Sequence, residues 1–170
     1  MKNLLRLTAV LLTGMLMLNS CGYHLVGHGN EVGAIPADIR TVSIVGNAER
    51  NLLDGLRQHL HSDAYTITDN SDVEDPDHHA EIDVRVPAPV FTPSAYSSGG
   101  VATQYRMLLR GSVAISRQGK IIWQSGNIQR QGDVYVTGGP TSIEASRERL
   151  LKDLSRLWIN DAVSRIRSGF

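Results

Sequence analysis

The sequence predicts an α+β domain, a two-layer sandwich in which two helices pack on one face of a mostly antiparallel four- to five-stranded sheet. Three observations support this class. Several short segments alternate β-branched and polar residues, which is typical of half-buried strands. Two segments, near residues 52–60 and 150–166, instead repeat leucine at helical spacing. The elements follow the order β-α-β-β-β-β-α, in which two long strands form a hairpin.

Residues 1–20 have the features of a secretory signal. Lys2 and Arg6 supply a positive start, and residues 7–18 form an uncharged, mostly apolar run. This run is shorter than the roughly 20 residues that a transmembrane helix needs. The segment therefore predicts an exported protein.

Cys21 is the only cysteine of the chain, and it follows directly after Asn19 and Ser20. This sequence resembles the bacterial lipobox, in which a signal peptidase cuts before a diacylated cysteine. The resemblance implies a lipoprotein signal peptide at 1–20 and a Cys21 that carries acyl chains, palmitate among them. Gly22, and not Asp, follows the cysteine, which by the same resemblance implies the outer membrane. An ordinary signal peptide followed by an incidental cysteine is the alternative.

Composition limits what the mature chain can be. Removal of Lys2 and Arg6 lowers the 17 basic residues to 15 against 17 acidic residues, a formal net charge of −2. This balance gives no reason to expect nucleic-acid binding. The 150 residues after position 20 suffice for one core. We therefore expect a lipidated leader at 21–38 and a single domain at 39–170.

The first half of the domain predicts three strands and one helix. Residues 39–45 form the first strand, and Asn47 is the expected N-cap of a helix that ends near His61. Gly55 inside this helix predicts close packing against the sheet. Residues 65–68 form a short strand, a polar loop follows at 69–79, and residues 80–86 form the third strand. Three prolines then predict that the following segment leaves the regular ladder, with a flexible tip at 94–100.

The second half predicts a long hairpin and a terminal helix. Residues 103–117 form the longest strand, Gln118-Gly119 the turn, and residues 120–135 a returning strand that Gly126 and Gly132 bend or bulge. The spacing of Thr141 and Glu144 predicts a capping box. The helix should continue to about residue 167. Its predicted buried positions are Leu150, Leu154, Leu157, Trp158, Ala162 and Ile166.

Two motifs of the mature chain resemble LptE, the outer-membrane lipoprotein family of lipopolysaccharide assembly. The first is the lipobox cysteine followed by Gly-Tyr-His-Leu at 22–25, and the second is Gln-Tyr-Arg-Met at 104–107. An early strand and helix and a long final helix agree in order and length. The resemblance implies a protein that plugs the β-barrel of LptD, assists its assembly and takes part in lipopolysaccharide transport. It transfers no lipopolysaccharide-contacting residue, because the tip at 94–100 lacks Lys and Arg.

Basic residues of the long hairpin are the candidate ligand-binding residues. The set is Arg106, Arg110, Arg117 and Lys120. One hypothesis is a stripe that binds the phosphates of lipid A, since arginine recognises phosphate with two hydrogen bonds. The other hypothesis, which we favour from sequence, is cross-strand pairing with Glu81 and Asp83 on a solvated face.

The sequence predicts no metal, cofactor or enzyme activity. His59 and His61 lie two apart on a helix and point to different sides, and His78 and His79 fall in a polar loop. Motifs of hydrolases, zinc proteases and phosphate-binding loops are missing from the sequence. An auxiliary lipoprotein of an ABC-type lipid transporter is the main alternative function, and a lipoprotein hydrolase is a weaker one.

Overall fold

The computed structural model describes residues 33–63, 65–136 and 140–170. Within these ranges lie seven strands, two helices and one 3-10 turn. They are β1 (Thr41–Gly46), α1 (Arg50–Ser62), β2 (Thr66–Ile67), the 3-10 turn (Pro76–His78), β3 (His79–Arg85), β4 (Val90–Tyr96), β5 (Ala102–Arg117), β6 (Lys120–Gln124), β7 (Ile128–Tyr135) and α2 (Pro140–Ser168).

The 16-residue strand β5 organises the sheet. Its first half pairs with β4 on one edge and β7 on the other, and its second half pairs with β3 and β6 in the same way. At about 3.3 Å per residue, β5 extends roughly 50 Å. The long strand predicted at 103–117 is therefore confirmed, and it holds two smaller sheets together.

One edge of the sheet is parallel, unlike the mostly antiparallel sheet expected from sequence. β1 pairs in parallel with both β2 and β3, and the strand order is β2-β1-β3-β5-β4. β3 and β4 lie along one edge of β5, and β6 and β7 lie along the opposite edge. Helix α1 is the crossover connection between β1 and β2. Such a helix allows the next strand to run in the same direction as the strand before it. The observed sheet is mixed and has seven strands instead of four or five.

The segment after β3 contains a strand that the prolines concealed. Residues 90–96 form β4 and pair antiparallel with β5, although Pro93 lies within the strand. The register shifts between Pro93 and Ala95, and between Ala95 and Tyr96. Among the described strands β4 pairs only with β5, so it is an edge strand. Proline is tolerated in such a position because its missing N–H faces away from the ladder. The predicted tip at 94–100 is thus shortened to the turn that follows Tyr96.

The hairpin turn forms as predicted, whereas the returning strand is divided. Gln118 and Gly119 both have positive φ, 51° and 75°, as a two-residue type I′ turn requires. The strand expected at 120–135 becomes β6 and β7, which are separated at Gly126, where φ is 65°. Gly132 instead accommodates α2, because a Cβ there would lie 2.6 Å from Leu150 Cδ1.

Both helices pack on one face of the sheet around a single core. The buried side of α1 is Leu52, Leu56 and Leu60, as the leucine spacing predicted. Glu49, and not Asn47, occupies the N-cap of α1. Asn47 Oδ1 instead accepts a hydrogen bond from Val86 N at 3.2 Å. Core side chains of the sheet are Val42, Ile44, Ile82, Val84, Met107, Leu109, Val113, Ile115 and Ile128.

The glycine of α1 packs against the other helix and not against the sheet. A Cβ at Gly55 would lie 2.6 Å from Ile159 Cδ1 of α2. The missing side chain therefore allows the two helices to approach closely. The prediction that Gly55 faces the sheet was wrong, because one leucine stripe does not show which neighbour the adjacent positions meet.

The buried face of α2 is displaced toward α1 relative to the predicted one. Leu154, Trp158, Ala162 and Ile166 are buried, but Leu157 is 42% exposed. Ile159 and Val163, absent from the predicted set, are buried on the side toward α1. α2 contacts the sheet and α1 together, so its buried face is wide and displaced away from Leu157. The helix begins at Pro140, which places Thr141 within the first turn and not at the N-cap.

Candidate functional site

Cys21, the predicted lipidation residue, lies outside the described residues. The described chain starts at Gly33, and Ala34 N donates a hydrogen bond to Ile166 O at 2.7 Å. Ala34 and Ile35 are buried. The end of the predicted leader is therefore attached to the last turns of α2. In the described ranges neither helix has the length and hydropathy to cross a membrane.

Arg106 and Arg110 project from the face of β5 opposite the helices, which we call the open face. Arg106 pairs with Asp133, its direct neighbour in β7, with Nε 2.9 Å from Oδ1 and Nη2 3.4 Å from Oδ2. The hydrogen bond to this carboxylate raises the pKa of Arg106 above its ordinary value. Arg110 lies opposite Gln129, is exposed, and has no ion pair among the described residues.

The pairing expected from sequence was wrong. β3 carries Glu81 and Asp83, but it pairs with residues 112–116 of β5, beyond Arg106 and Arg110. Asp83 instead accepts from Arg85 at 2.7 Å, and Glu81 from Asn70 at 2.7 Å. The partner of Arg106 came from the other edge strand, which sequence spacing could not identify.

Arg117 and Lys120 form a separate group at the hairpin turn. Arg117 Nη2 lies 2.7 Å from Asp38 Oδ2 and donates to the carbonyl of Asp77. The hydrogen bond from Arg117 lowers the pKa of the Asp38 carboxyl below its usual value. Lys120 is exposed. Arg117 lies eleven positions after Arg106 on β5, about 36 Å away at 3.3 Å per residue. The structure therefore divides the four basic residues into two distant pairs.

A shallow groove lies on the open face beside the second half of β5. Its volume is about 350 Å³, and its polar lining comprises Glu81, Asp83, Arg85, Ser112, Ser116 and Gln124. Two carboxylates with one paired arginine make this groove unfavourable for a phosphate. The alternation of polar residues in two predicted strands, the third strand and the longest strand, showed which of their sides is polar. It did not show that β6 forms one side of the groove.

His79 is part of a buried polar network. The sequence had suggested instead that it lies in a solvated loop. Its Nδ1 lies 3.0 Å from Thr41 Oγ1 and its Nε2 3.0 Å from Ser43 Oγ. Burial lowers the pKa of His79, and the nearby Glu81 opposes this only in part. Ser43 is 1% exposed and also bonds to Asn70, so its hydroxyl is not accessible to a substrate.

The remaining histidines occupy separate places. His78 ends the 3-10 turn and lies 2.8 Å from Asp75 Oδ2, a hydrogen bond that lowers the pKa of Asp75. His59 and His61 lie in the last turn of α1. Among the described residues, no three His, Cys, Asp or Glu side chains are grouped as metal ligands.

These features define a class of fold, an α+β domain with two helices and a mixed sheet built on one shared strand. The sequence matches no family model, and the curated proteins include no significant match. Solved structures, however, are similar. One is the rare lipoprotein B from Shewanella oneidensis, with a TM-score of 0.57 and 16% identity over 75% of this chain and 90% of that chain.

Two further structures have the same fold. An uncharacterized lipoprotein B from Nitrosomonas europaea gives a TM-score of 0.58 at 11% identity, covering 87% of this chain and 92% of that chain. A minor lipoprotein from Acinetobacter baumannii gives 0.54 at 15% identity, covering 76% and 92%. At these identities the likeness shows the fold alone.

Arg110 is the better candidate for binding a phosphate, because Arg106 is already engaged by Asp133. If Arg110 contacts a phosphate of lipid A, Arg110→Gln should weaken binding of purified lipopolysaccharide by about tenfold, since a hydrogen bond to a charged group contributes roughly 1.5–3 kcal/mol. Glutamine keeps much of the length and the hydrogen bonding but removes the charge. The thermal midpoint should stay unchanged, because Arg110 has no described ion pair.

The double variant with Arg106→Gln also loses the cross-strand pair with Asp133. It should therefore show a slightly lower thermal midpoint, as expected for a partly exposed ion pair. Arg117→Gln and Lys120→Gln should affect binding less, because they lie at the other end of β5. Unchanged lipopolysaccharide affinity in Arg110→Gln, measured on folded protein, would exclude a phosphate-binding role for this face.

Proposed function

We propose that this chain is an LptE-like lipoprotein that plugs and helps to assemble an LptD-like outer-membrane β-barrel and assists lipopolysaccharide transport. In this proposal Cys21 is lipidated and anchors the protein in the outer membrane. The domain then lies on the periplasmic side or inside the barrel lumen. The partners are the barrel, lipopolysaccharide and the membrane, and nucleic acid is not among them.

The observation that carries the proposal is the shared fold. Proteins described as lipoproteins from three bacterial species have this architecture over about nine tenths of their own length. The present chain adds a lipobox-like cysteine and the Gly-Tyr-His-Leu motif at 22–25. The fold and the motif are independent observations, because the motif at 22–25 precedes the described residues.

The open face supports the role of a plug. The part formed by β4, the first half of β5 and β7 exposes polar side chains, among them Gln104, Arg106, Gln129 and Asp133. Barrel lumens are polar and hydrated, so a polar sheet face is suited to contact the lumen wall. Arg106 and Asp133 neutralise each other on this face.

The alternative function is that of an auxiliary lipoprotein in an ABC-type lipid transporter. Affinity purification of the tagged full-length protein from detergent-solubilised membranes, followed by mass spectrometry, distinguishes the two. We expect a large β-barrel protein in near-stoichiometric amount. Recovery of a transporter ATPase complex without a barrel would support the alternative and contradict our proposal.

We further propose that the protein is neither an enzyme nor a cofactor-binding protein. Among the described residues, Ser43 and His79 resemble a nucleophile and its base, but their contact is buried and Ser43 also bonds to Asn70. Both ring nitrogens of His79 contact hydroxyl groups. This arrangement joins the loop at 69–78 to the sheet, which is a structural role.

A further inference from the structure

Two arginines line a shallow pocket on the open face, at the point where β3 ends. The volume of this pocket is about 420 Å³, and its lining residues are Arg85, Pro87, Arg110, Gly111, Ser112 and Asn127. Arg85 lies directly opposite Ser112 in the ladder of β3 and β5, and Arg110 precedes Ser112 by two positions. Arg85 and Arg110 are therefore diagonal neighbours on one face, with Cα atoms about 7–8 Å apart. We call this site the arginine pocket.

The arginine pocket is positively charged, in contrast to the acidic groove beside it. Its described lining residues include no carboxylate. The nearest carboxylate along β3, that of Asp83, accepts a hydrogen bond from Arg85 Nε at 2.8 Å. Asp83 lies opposite Ala114, on the side of Arg85 away from Arg110. Arg110 has no ion pair within the described ranges, so its positive charge remains uncompensated.

Neighbouring residues fix the backbone that carries Arg85. The next residue, Val86, is buried and donates from N to Asn47 Oδ1 at 3.2 Å. Pro87 follows, and its ring fixes the backbone angle φ. Gly111 allows β3 to approach β5 closely, because a Cβ there would lie 2.6 Å from Arg85 O. The base of the pocket is therefore formed before any ligand binds.

Several hydrogen-bond donors of the pocket have no partner in the described part of the chain. Arg85 uses Nε and Nη2 for Asp83, which leaves its Nη1 available. The side chains of Ser112 and Asn127 make no hydrogen bond to a described residue. Asn127 is bonded to Arg165 through its backbone carbonyl. Asp83 therefore orients the guanidinium group of Arg85 and leaves donors free for a ligand.

We infer that the arginine pocket binds a phosphate group. The oxygens of a phosphate point in tetrahedral directions, so they can accept hydrogen bonds from two guanidinium groups on neighbouring strands. The hydroxyl of Ser112 and the amide of Asn127 add neutral donors. A carboxylate has two oxygens in one plane, and a single arginine satisfies both. Two arginines in one pocket therefore suit a phosphate better than a carboxylate.

The ligand is a single phosphate and not a polyanion. Arg106, the next basic residue along the open face of β5, is paired with Asp133, so the positive charge does not continue along this strand. The phosphate is either inorganic phosphate or the headgroup of a lipid. Neither source requires the proposed barrel partner or the proposed anchor. The site can therefore be tested separately from the proposed function.

Isothermal titration calorimetry of the full-length protein in a non-ionic detergent tests the site. Sodium phosphate is titrated in a phosphate-free buffer, and sodium acetate and sodium chloride of equal ionic strength are the comparisons. We expect one phosphate to bind per chain. Arg85→Gln and Arg110→Gln should each weaken phosphate binding by about tenfold, the loss expected for a hydrogen bond to a charged group. Arg110→Lys keeps the charge but not the paired N–H groups, so it should lose less.

Arg106→Gln is the matched control, because it is the same change on the same face of β5 but outside the pocket. Arg110 lies four positions after Arg106, about 13 Å away at 3.3 Å per residue. Exposed charges are screened beyond about 8 Å at physiological salt. Phosphate affinity should therefore stay unchanged in this variant, and circular dichroism verifies that every variant is folded.

Three results would overturn the inference. They are the absence of phosphate binding by the wild-type protein, equal binding of acetate, and a Arg85→Gln variant whose phosphate affinity is unchanged. A loss in Arg106→Gln as large as that in Arg110→Gln would also overturn it, because the effect would then come from general surface charge and not from the pocket.

Mixed micelles distinguish the two sources of phosphate. Phosphatidic acid carries a phosphate monoester, whereas the phosphate of phosphatidylcholine is esterified on both sides. Displacement of bound phosphate by phosphatidic acid, but not by phosphatidylcholine, identifies a lipid headgroup as the ligand. If neither lipid displaces it, the ligand is free phosphate. Both results support the site, and they differ only in what carries the phosphate.

Discussion

Leu154→Asp should unfold the domain, whereas Leu157→Asp, the same change three residues later in α2, should have little effect. Leu154 is 3% exposed and belongs to the core, while Leu157 is 42% exposed. The first change removes buried apolar surface and places a carboxylate where it has no partner. We expect a loss of more than about 4 kcal/mol, comparable with the total stability of a small domain.

Chemical denaturation followed by circular dichroism measures both variants. The pair is matched in helix, residue type and charge change, so helix propensity and net charge cancel in the comparison. We expect Leu157→Asp to stay within about 1 kcal/mol of wild type, as surface substitutions usually do. Equal denaturation midpoints would show that the buried face of α2 is misplaced.

Cys21→Ala, made in a protein whose residues 1–20 are replaced by a signal peptide that is cleaved without lipidation, should release the protein from membranes completely. A single acyl chain holds a protein only marginally, at about 0.8 kcal/mol per buried methylene, whereas two or more chains hold it stably. Alanine accepts no acyl chain, so the variant should appear in the soluble fraction after cell disruption. Ser20→Ala in the natural signal is the control, because alanine before the cysteine agrees with the lipobox pattern and should leave the protein anchored.

Fractionation should be carried out in cells that lack the proposed barrel partner, since binding to such a partner would also retain the domain. Mass spectrometry of the wild-type amino-terminal peptide should find a mass increase that corresponds to acyl chains on Cys21. A Cys21→Ala protein that stays with membranes in such cells would contradict the proposed anchor.

Several features that depend on neighbouring residues were predicted correctly, although the helix N-caps expected at Asn47 and Thr141 were not. The period-two pattern located β5, and the leucine spacing located the buried side of α1. The Gln118-Gly119 turn was predictable because a two-residue hairpin requires positive φ at both positions, and glycine adopts it readily. Each of these signals is contained in a few consecutive residues.

Features that depend on distant pairing were missed. β4 has prolines that argue against a strand, and only its position at an edge makes them acceptable. Arg106 pairs with Asp133 because β7 lies beside the first half of β5, a fact that no local pattern contains. Leu157 fits the helical spacing, but the position of α1 determines which side of α2 is covered. Strand order and helix position are properties of the whole fold.

The shared strand has a consequence for how the molecule folds. Neither small sheet can form independently, because β5 supplies one strand to each. The β5–β6 hairpin closes the shortest loop in the sheet, so it costs the least chain entropy and is the natural place to begin. β3 must then join from more than twenty residues away along the chain. The two halves should therefore be gained and lost together, which protects the exposed edges of each half from persisting alone in a partly folded, aggregation-prone state.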